Sequence, residues 1–313
     1  MSGKSWLMAS AAALAALTSG QVLAQAAGPD RTVLPIPPAP FDGDIKPNVM
    51  DSRPGTGRDV RAPEGAPNVF MFMSDDVGFA MTSAFGGPVP TPNFERLARS
   101  GQRYNRFHTT GICSPSRAAL LTGRNHHQTG SGFLSDLPTG YPGYTGRIGR
   151  DTATIAQVLR LNGYSTAMFG KHHNLPPQDR SIASNHDSWP TGLGFEYYFG
   201  FNSGDVDQYT PTLYRGIQRV PMNEAPGKLL DERFADDIIS YVHNQRAAAP
   251  NKPFLIYFAP GTMHAPHQAP KSYIDRFKGK FDMGWDQLRV ESWRRQIALG
   301  IIPPDTKLTP RPA

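Results

Sequence analysis

Continuous apolar runs of strand length occur three times along the chain, and each is followed by a cluster of polar residues. Residues 69–73 precede two aspartates, residues 164–169 precede Gly-Lys-His-His, and residues 253–258 precede Gly-Thr-Met-His. A run without polar alternation predicts a strand that is buried on both faces, as in a parallel sheet. Because ligands of open α/β sheets bind beyond the carboxyl ends of strands, these clusters are predicted to share one site.

Helical signals lie between the predicted strands. Thr91 and Pro92 have the pattern of an N-cap and a first helical residue, and Gly101 is a C-terminal stop. A second helix is predicted after Thr154, where Gln157 completes a capping box. Strands that alternate with helices predict an α/β fold with a large, mostly parallel sheet and helices on both faces. A third helix carries its apolar residues on one side: Leu230, Phe234, Ile238 and Tyr241.

The chain is predicted to have three parts. Residues 1–24 combine Lys4, an alanine-rich apolar stretch and small residues before Gln25, which is typical of a secretory signal peptide. Residues 25–67 are a proline-rich lead, and residues 68–313 are predicted to form one domain, in which segment 174–227 is a long loop over the sheet. No later stretch reaches the length of a membrane span, so we expect a periplasmic or secreted protein without a span after signal cleavage.

Composition narrows the function classes. A length of 313 residues, 39% of them hydrophobic, is typical of a globular protein with a substantial core and excludes a disordered chain. The net charge is +6, but the basic residues are scattered, so no nucleic-acid partner is predicted. Cys113 is the only cysteine. In an exported chain it indicates intermolecular pairing, a reactive thiol or a site of modification, with an inert buried thiol as the alternative.

The residues around Cys113 favour a reactive or modified cysteine over an inert buried thiol. It opens the stretch Cys-Ser-Pro-Ser-Arg-Ala-Ala-Leu-Leu-Thr-Gly-Arg. Pro115 suits the first turn of a helix, so Cys113 is expected just ahead of a helix N-terminus, where an anion or a thiolate is favoured. Arg117 lies one turn further on. The stretch resembles the Cys-x-Pro-x-Arg signature of type I sulfatases in the alkaline phosphatase superfamily, and the chain from residue 68 onward resembles the arylsulfatases of that family.

The resemblance implies a sulfuric ester hydrolase with the alkaline phosphatase-like fold. In this family a formylglycine-generating maturation enzyme oxidises the signature cysteine to formylglycine, whose hydrated aldehyde attacks the sulfur of a sulfate ester. The resemblance therefore implies that Cys113 is the precursor of the nucleophile and that Arg117 steadies the modified residue. The implied partners are the maturation enzyme and a small sulfate ester.

Further motifs carry the same resemblance. Ser-Asp-Asp-Val-Gly at 74–78 resembles the paired metal aspartates of the family, which implies that Asp75, Asp76 and the modified Cys113 bind one divalent ion, of the calcium type. Gly-Lys-His-His at 170–173 resembles the family's Gly-Lys-Trp-His, with His172 in place of the tryptophan. The catalytic residues implied by these motifs and by the later Met-His-Ala-Pro-His are the sulfate-binding Lys171, the base His173 and the leaving-group assistant His264.

One part of the family pattern is missing from the sequence. The family completes its metal site with a later Asp-Asn pair and a further lysine, and no Asp-Asn pair occurs here. We therefore expect a C-terminally truncated domain with an incomplete sheet and with weak or absent turnover, because hard divalent ions take six or more oxygen ligands. Two alternatives stay open: a phosphonate monoester or phosphodiester hydrolase of the same superfamily, and a degenerate, non-catalytic anion-binding protein.

Overall fold

The computed structural model describes residues 40–55, 60–221 and 227–311. The predicted signal peptide at 1–24 lies outside these residues, as do positions 25–39 and 56–59 of the predicted lead. The described chain before position 56 is a small unit with a bridge between Asp44 and Arg53 and a 3₁₀ turn at Val49–Asp51. The chain from Val60 onward is the second unit, which carries the sheet. No helix in the described ranges is long and apolar enough to cross a membrane.

The second unit alternates strands and helices along the chain. Its strands are β1 (Val69–Phe72), β2 (Ser165–Lys171), β3 (Tyr197–Phe201), β4 (Tyr214–Arg215), β5 (Gln218–Arg219) and β6 (Phe254–Ala259). Its helices are α1 (Pro92–Ser100), α2 (Cys113–Thr122), α3 (Ile155–Arg160), α4 (Leu230–Ala248), α5 (Lys271–Ile274) and α6 (Gly284–Ala298). Short 3₁₀ turns lie at Ser83–Phe85, His126–Thr129, Pro177–Asp179 and Asp275–Phe277.

The strands form one sheet in the order β1-β6-β2-β3-β4-β5. β1, β6, β2 and β3 are parallel, and β4 and β5 continue the sheet in antiparallel pairing. Phe258 of β6 lies opposite Phe72 of β1 on one side and Phe169 of β2 on the other. The carboxyl ends of these three strands are therefore neighbours, which confirms the mostly parallel sheet and brings the three polar clusters together.

Helices cover both faces of the sheet, as the alternation predicts. On one face, α2 and α3 pack on the central strands through Ala118, Leu121 and Ala156 against Met168, Leu255 and Tyr257. On the other face, α4 packs through Leu230, Phe234 and Ile238 against Phe169, Phe199 and Ile256. Each leucine, isoleucine, methionine and phenylalanine among these side chains contributes roughly 1.5–3 kcal/mol when fully buried.

Local helix signals also have the expected geometry. At the start of α3, the Gln157 backbone N–H donates to Thr154 Oγ1 at 3.1 Å, and the Thr154 N–H donates to Gln157 Oε1 at 2.9 Å. This reciprocal pair is the predicted capping box. α1 begins at Pro92 and ends before Gly101, as predicted.

The prediction of one long loop over residues 174–227 is wrong. This segment contains β3, β4 and β5, and β3 is a central parallel strand beside β2. Its sequence contains Gly200, which resembles a loop signal. The glycine is required by packing, because a Cβ at this position would lie 2.0 Å from the Gly170 carbonyl oxygen on the neighbouring strand. A close approach of backbones therefore explains a residue that a strand otherwise disfavours.

Candidate active site

Cys113 is the first residue of α2, one position further into the helix than the sequence predicts. Ile112 is the extended N-cap, and Gly123 ends the helix in the left-handed conformation. Pro115 lies in the first turn, where its missing N–H costs no helical hydrogen bond. The free thiol of Cys113 is partly buried and lies at the end of the helix that carries partial positive charge.

His173 faces Cys113 from the end of β2. Its Nδ1 atom lies 3.1 Å from Cys113 Sγ, and its side chain is almost completely buried. Burial lowers the pKa of His173, while the hydrogen bond with Asp136 raises it and the charge of Lys171 lowers it further. The net shift is downward, so the ring is neutral at neutral pH and able to accept a proton.

Asp75 is buried between the two cationic side chains of the site, Arg117 and Lys171. Arg117 Nη2 donates to Asp75 Oδ1 at 3.0 Å, and Lys171 Nζ donates to Asp75 Oδ2 at 2.5 Å. All three side chains are at most 2% exposed. Burial lowers the pKa of Arg117, but Tyr257 and Asp75 outweigh it and leave the pKa above its usual value. Two cations share one carboxylate, so the cluster keeps a net positive charge beside the helix N-terminus.

Asp76 and His264 lie at the open rim of the same site. The Asp76 side chain is 61% exposed, and its carboxylate Oδ2 lies 3.8 Å from His264 Nε2. His264 Nδ1 lies 2.8 Å from the Ala265 carbonyl oxygen. The loop that carries His264 is joined to the end of β1 by backbone hydrogen bonds, in which the Asp75 N–H donates to Thr262 O and the Met263 N–H to Asp75 O.

The predicted metal ligands do not form a complete divalent site. Both oxygens of Asp75 already accept hydrogen bonds from Arg117 and Lys171, and Asp76 points to the rim. Over the described ranges, no three His, Cys, Asp or Glu side chains are grouped so that they could hold a metal ion. A calcium ion takes six to eight oxygen ligands. Asp75, Asp76 and residue 113 therefore do not fit such an ion by themselves.

The neighbouring His172 has no part in this cluster. It is buried, and its Nε2 lies 2.9 Å from the carbonyl oxygen of Ser188. Burial lowers the pKa of His172 to about 3, so the ring is neutral. The two adjacent histidines thus have separate surroundings, and His173 is the one that contacts Cys113.

Sequence reasoning missed two residues, Asp136 and Arg180. Asp136 Oδ2 is hydrogen-bonded to His173 Nε2, and Arg180 Nη2 donates to Asp136 Oδ1 at 2.7 Å. The bond with His173, followed by the one with Arg180, holds the pKa of Asp136 well below its usual range. Both residues lie in irregular segments without apolar periodicity, so no local pattern marks them.

Comparison with known proteins agrees with these features. The family model "Sulfatase" matches residues 67–302. An uncharacterized sulfatase of Schizosaccharomyces pombe is 31% identical over 78% of this chain and 46% of its own length. An arylsulfatase of Klebsiella aerogenes is 31% identical over 79% of this chain and 53% of its own length. The chain thus spans about half the length of these curated relatives.

A solved structure supports the fold. The crystal structure of Ps i-CgsB has a TM-score of 0.59, with 24% identity, and the match covers 75% of this chain and 53% of that one. At this identity the likeness concerns the fold alone. It agrees with the mostly parallel sheet and the helices on both of its faces.

Proposed function

This chain belongs to the sulfatase family, and we propose that it hydrolyses sulfate esters with residue 113 as the nucleophile. The observation that carries the proposal is the contact between Cys113 Sγ and His173 Nδ1 at the N-terminus of α2. The buried cluster of Arg117, Lys171 and Asp75 beside it has a net positive charge, which favours an anionic ester. A neutral imidazole, a helix N-terminus and buried cations together suit attack on a sulfate group.

Conversion of Cys113 to formylglycine by a formylglycine-generating enzyme is part of the proposal. The residues around position 113 fit this group, because its side chain meets a neutral base and lies beside cationic side chains. Formylglycine supplies a hydrated aldehyde whose hydroxyl acts as the nucleophile. His173 Nδ1 is placed to accept a proton at residue 113. Arg117 and Lys171 lower the energy of negative charge near it.

We propose no metal-dependent step for this chain. The relatives' family generally uses a divalent metal, and the resemblance implies calcium ligands at Asp75, Asp76 and the modified Cys113, but these groups do not complete such a site. The proposed turnover is therefore weak, with His264 assisting the leaving group from the rim. The basic start, apolar stretch and small residues of positions 1–24 support export to the periplasm or medium.

The test is hydrolysis of an aryl sulfate by the 313-residue chain after treatment with a formylglycine-generating enzyme. Mass analysis of the peptide containing residue 113 gives the aldehyde content, and Cys113→Ala, which cannot be converted, is the control. We expect slow release of the aryl alcohol in proportion to the aldehyde. Converted protein that does not release the alcohol would contradict the proposal, whether or not it binds inorganic sulfate. Faster cleavage of an aryl phosphodiester would favour the phosphodiesterase alternative.

A further inference from the structure

We propose that Asp136, held by Arg180, is a positioning residue that fixes His173 with its proton on Nε2 and leaves Nδ1 free to accept from residue 113. This inference rests on the proposed function, because it concerns the base of that reaction. Three contacts in a row carry it: Cys113 Sγ to His173 Nδ1, His173 Nε2 to Asp136 Oδ2, and Asp136 Oδ1 to Arg180 Nη2.

The order of donors along this row determines the tautomer. An ionised carboxylate only accepts hydrogen bonds, so the Nε2 atom that contacts Asp136 must carry the proton of the neutral ring. Nδ1 then has a free lone pair directed at residue 113. An orienting carboxylate behind a histidine has the same effect in other active sites, where it selects the tautomer and the ring orientation.

Arg180 makes the position of Asp136 specific. Its Nη2 donates to Asp136 Oδ1 at 2.7 Å and to the Leu175 carbonyl oxygen at 3.1 Å, and its Nε donates to the same carbonyl at 3.2 Å. The guanidinium is thereby tied to the chain that follows His173. Arg180 thus occupies one carboxylate oxygen of Asp136, and His173 occupies the other.

The neighbours of these residues are joined by a second set of bonds. The Ser135 N–H donates to Ser114 Oγ at 3.0 Å, and Asn174 Nδ2 donates to the Ser114 carbonyl oxygen at 2.9 Å. Residues 114, 135 and 174 are the sequence neighbours of Cys113, Asp136 and His173, respectively. The start of α2, the loop of Asp136 and the end of β2 are therefore fixed to one another independently of the catalytic side chains.

Gly204 lies against the His173 ring, close to its hydrogen bond with Asp136. A Cβ at this position would lie 2.8 Å from His173 Nε2, 2.9 Å from its Cε1 and 3.5 Å from Asp136 Oδ2. The space beside the hydrogen bond is therefore too small for any larger residue. Burial of this kind keeps the His173 ring in one orientation.

The test uses nitrogen-15 NMR of the imidazoles in the full chain carrying Cys113→Ser, since a hydroxyl at 113 does not ionise. His173 signals are assigned by difference with His173→Gln, and the shifts of a neutral ring report which nitrogen is protonated. We expect the Nε2–H form in this background and the Nδ1–H form after Asp136→Asn. Arg180 holds the carbonyl of the new amide, so the amide NH₂ faces Nε2 and imposes the other tautomer.

A double variant examines the role of Arg180. Asp136→Asn combined with Arg180→Met removes the donor, so the amide can turn its oxygen toward Nε2, and the Nε2–H form is expected to return. Asp179→Asn is the matched control. Asp179 is also paired with an arginine, Arg147 at 2.8 Å, but it makes no contact with His173, so the tautomer should not change.

Kinetics provide the second readout. In protein with formylglycine at 113, Asp136→Asn should lower kcat by about 100-fold with little change in KM, and Asp179→Asn should leave both within about twofold. An Nδ1–H signal before any change at 136, or an unchanged tautomer after Asp136→Asn, would overturn the inference. The NMR result is independent of turnover. A chain with the expected tautomers but no sulfate ester hydrolysis would therefore refute the proposed function and leave the positioning role intact.

Discussion

The two sides of the candidate site differ in how firmly their residues are held. On the nucleophile side (Cys113, Arg117, Lys171 and His173), the three residues other than Cys113 are at most 2% exposed, and all four make polar contacts. On the rim side (Asp76 and His264), the side chains are 61% and 29% exposed, and their closest mutual contact is 3.8 Å. Each side contains residues that follow strand ends of the same sheet: His173 follows β2, Asp76 follows β1 and His264 follows β6.

Strand order alone does not explain this difference. β2, which carries Lys171 and precedes His173, has β6 on one side and β3 on the other. β1, which precedes Asp76, pairs only with β6 within the described residues, and its Phe70 is 54% exposed. Asp75 also follows β1 but is only 2% exposed, because Arg117 and Lys171 pair with it, whereas His264 follows the central strand β6 and lies at the rim. Residues identified by equally specific motifs therefore differ in preorganisation, according to the contacts that each makes.

Removal of a buried cation should have the largest effect. Lys171→Met leaves Asp75 Oδ2 buried without its ammonium donor while Arg117 still pairs with Oδ1, and an unsatisfied acceptor on a buried charged group costs about 3 kcal/mol. The free energy of unfolding from guanidinium titration measures the loss. Lys271→Met, which breaks the exposed pair with Asp275, is the matched control and should cost less than about 1 kcal/mol. Similar losses in both variants would contradict the difference in preorganisation.

Crowding of the His173 ring should cause the next largest decrease in the free energy of unfolding. Gly204→Ala introduces a methyl group 2.8 Å from His173 Nε2, and overpacking of this kind costs about 1–3 kcal/mol. It should also shift the His173 imidazole signals in NMR spectra. Gly140→Ala, which meets no atom within 4 Å, should change neither quantity. A stable Gly204→Ala protein with unchanged His173 signals would count against a confined ring.

Acid should weaken the fold through His172. Its pKa is lowered by burial to about 3, below the usual 6.5, so below pH 6.5 only the unfolded chain takes up this proton. The free energy of unfolding is therefore not reduced by His172 above pH 6.5, and it decreases progressively as the pH falls from 6.5 toward 3. The loss at pH 5.5 is about 1.4 kcal/mol. His172→Gln keeps a donor for the Ser188 carbonyl oxygen and should reduce the difference in unfolding free energy between pH 7 and 5.5; an unchanged difference would contradict this role.

A change on the rim side should have the smallest effect. Asp76→Asn removes the charge that lies 3.8 Å from His264 Nε2, and a loose, exposed pair contributes about 0.5 kcal/mol or less. The free energy of unfolding should therefore change by no more than this. A loss above about 2 kcal/mol would show that Asp76 is held as firmly as Lys171.

The sequence was sufficient to predict those elements whose signals lie within a few consecutive positions. Buried apolar runs marked β1, β2 and β6, and a capping box marked α3, because each signal is complete within a few positions. β3 was missed because its glycine serves a contact with another strand. Asp136 was missed because its partner His173 lies 37 positions away, so the pair exists only after folding. The motif residues were found by resemblance, but their unequal burial depends on contacts with distant residues that form only on folding.

The most direct test of the account is whether the nucleophile side acts alone. Aryl alcohol release by the formylglycine-containing chain should be measured with excess calcium and with a chelator, and normalised to the aldehyde content at residue 113. We expect slow release at equal rates in both conditions, because both carboxylate oxygens of Asp75 are occupied by Arg117 and Lys171 and are not available to calcium. Rapid release that requires calcium, or no release with the aldehyde present, would contradict it.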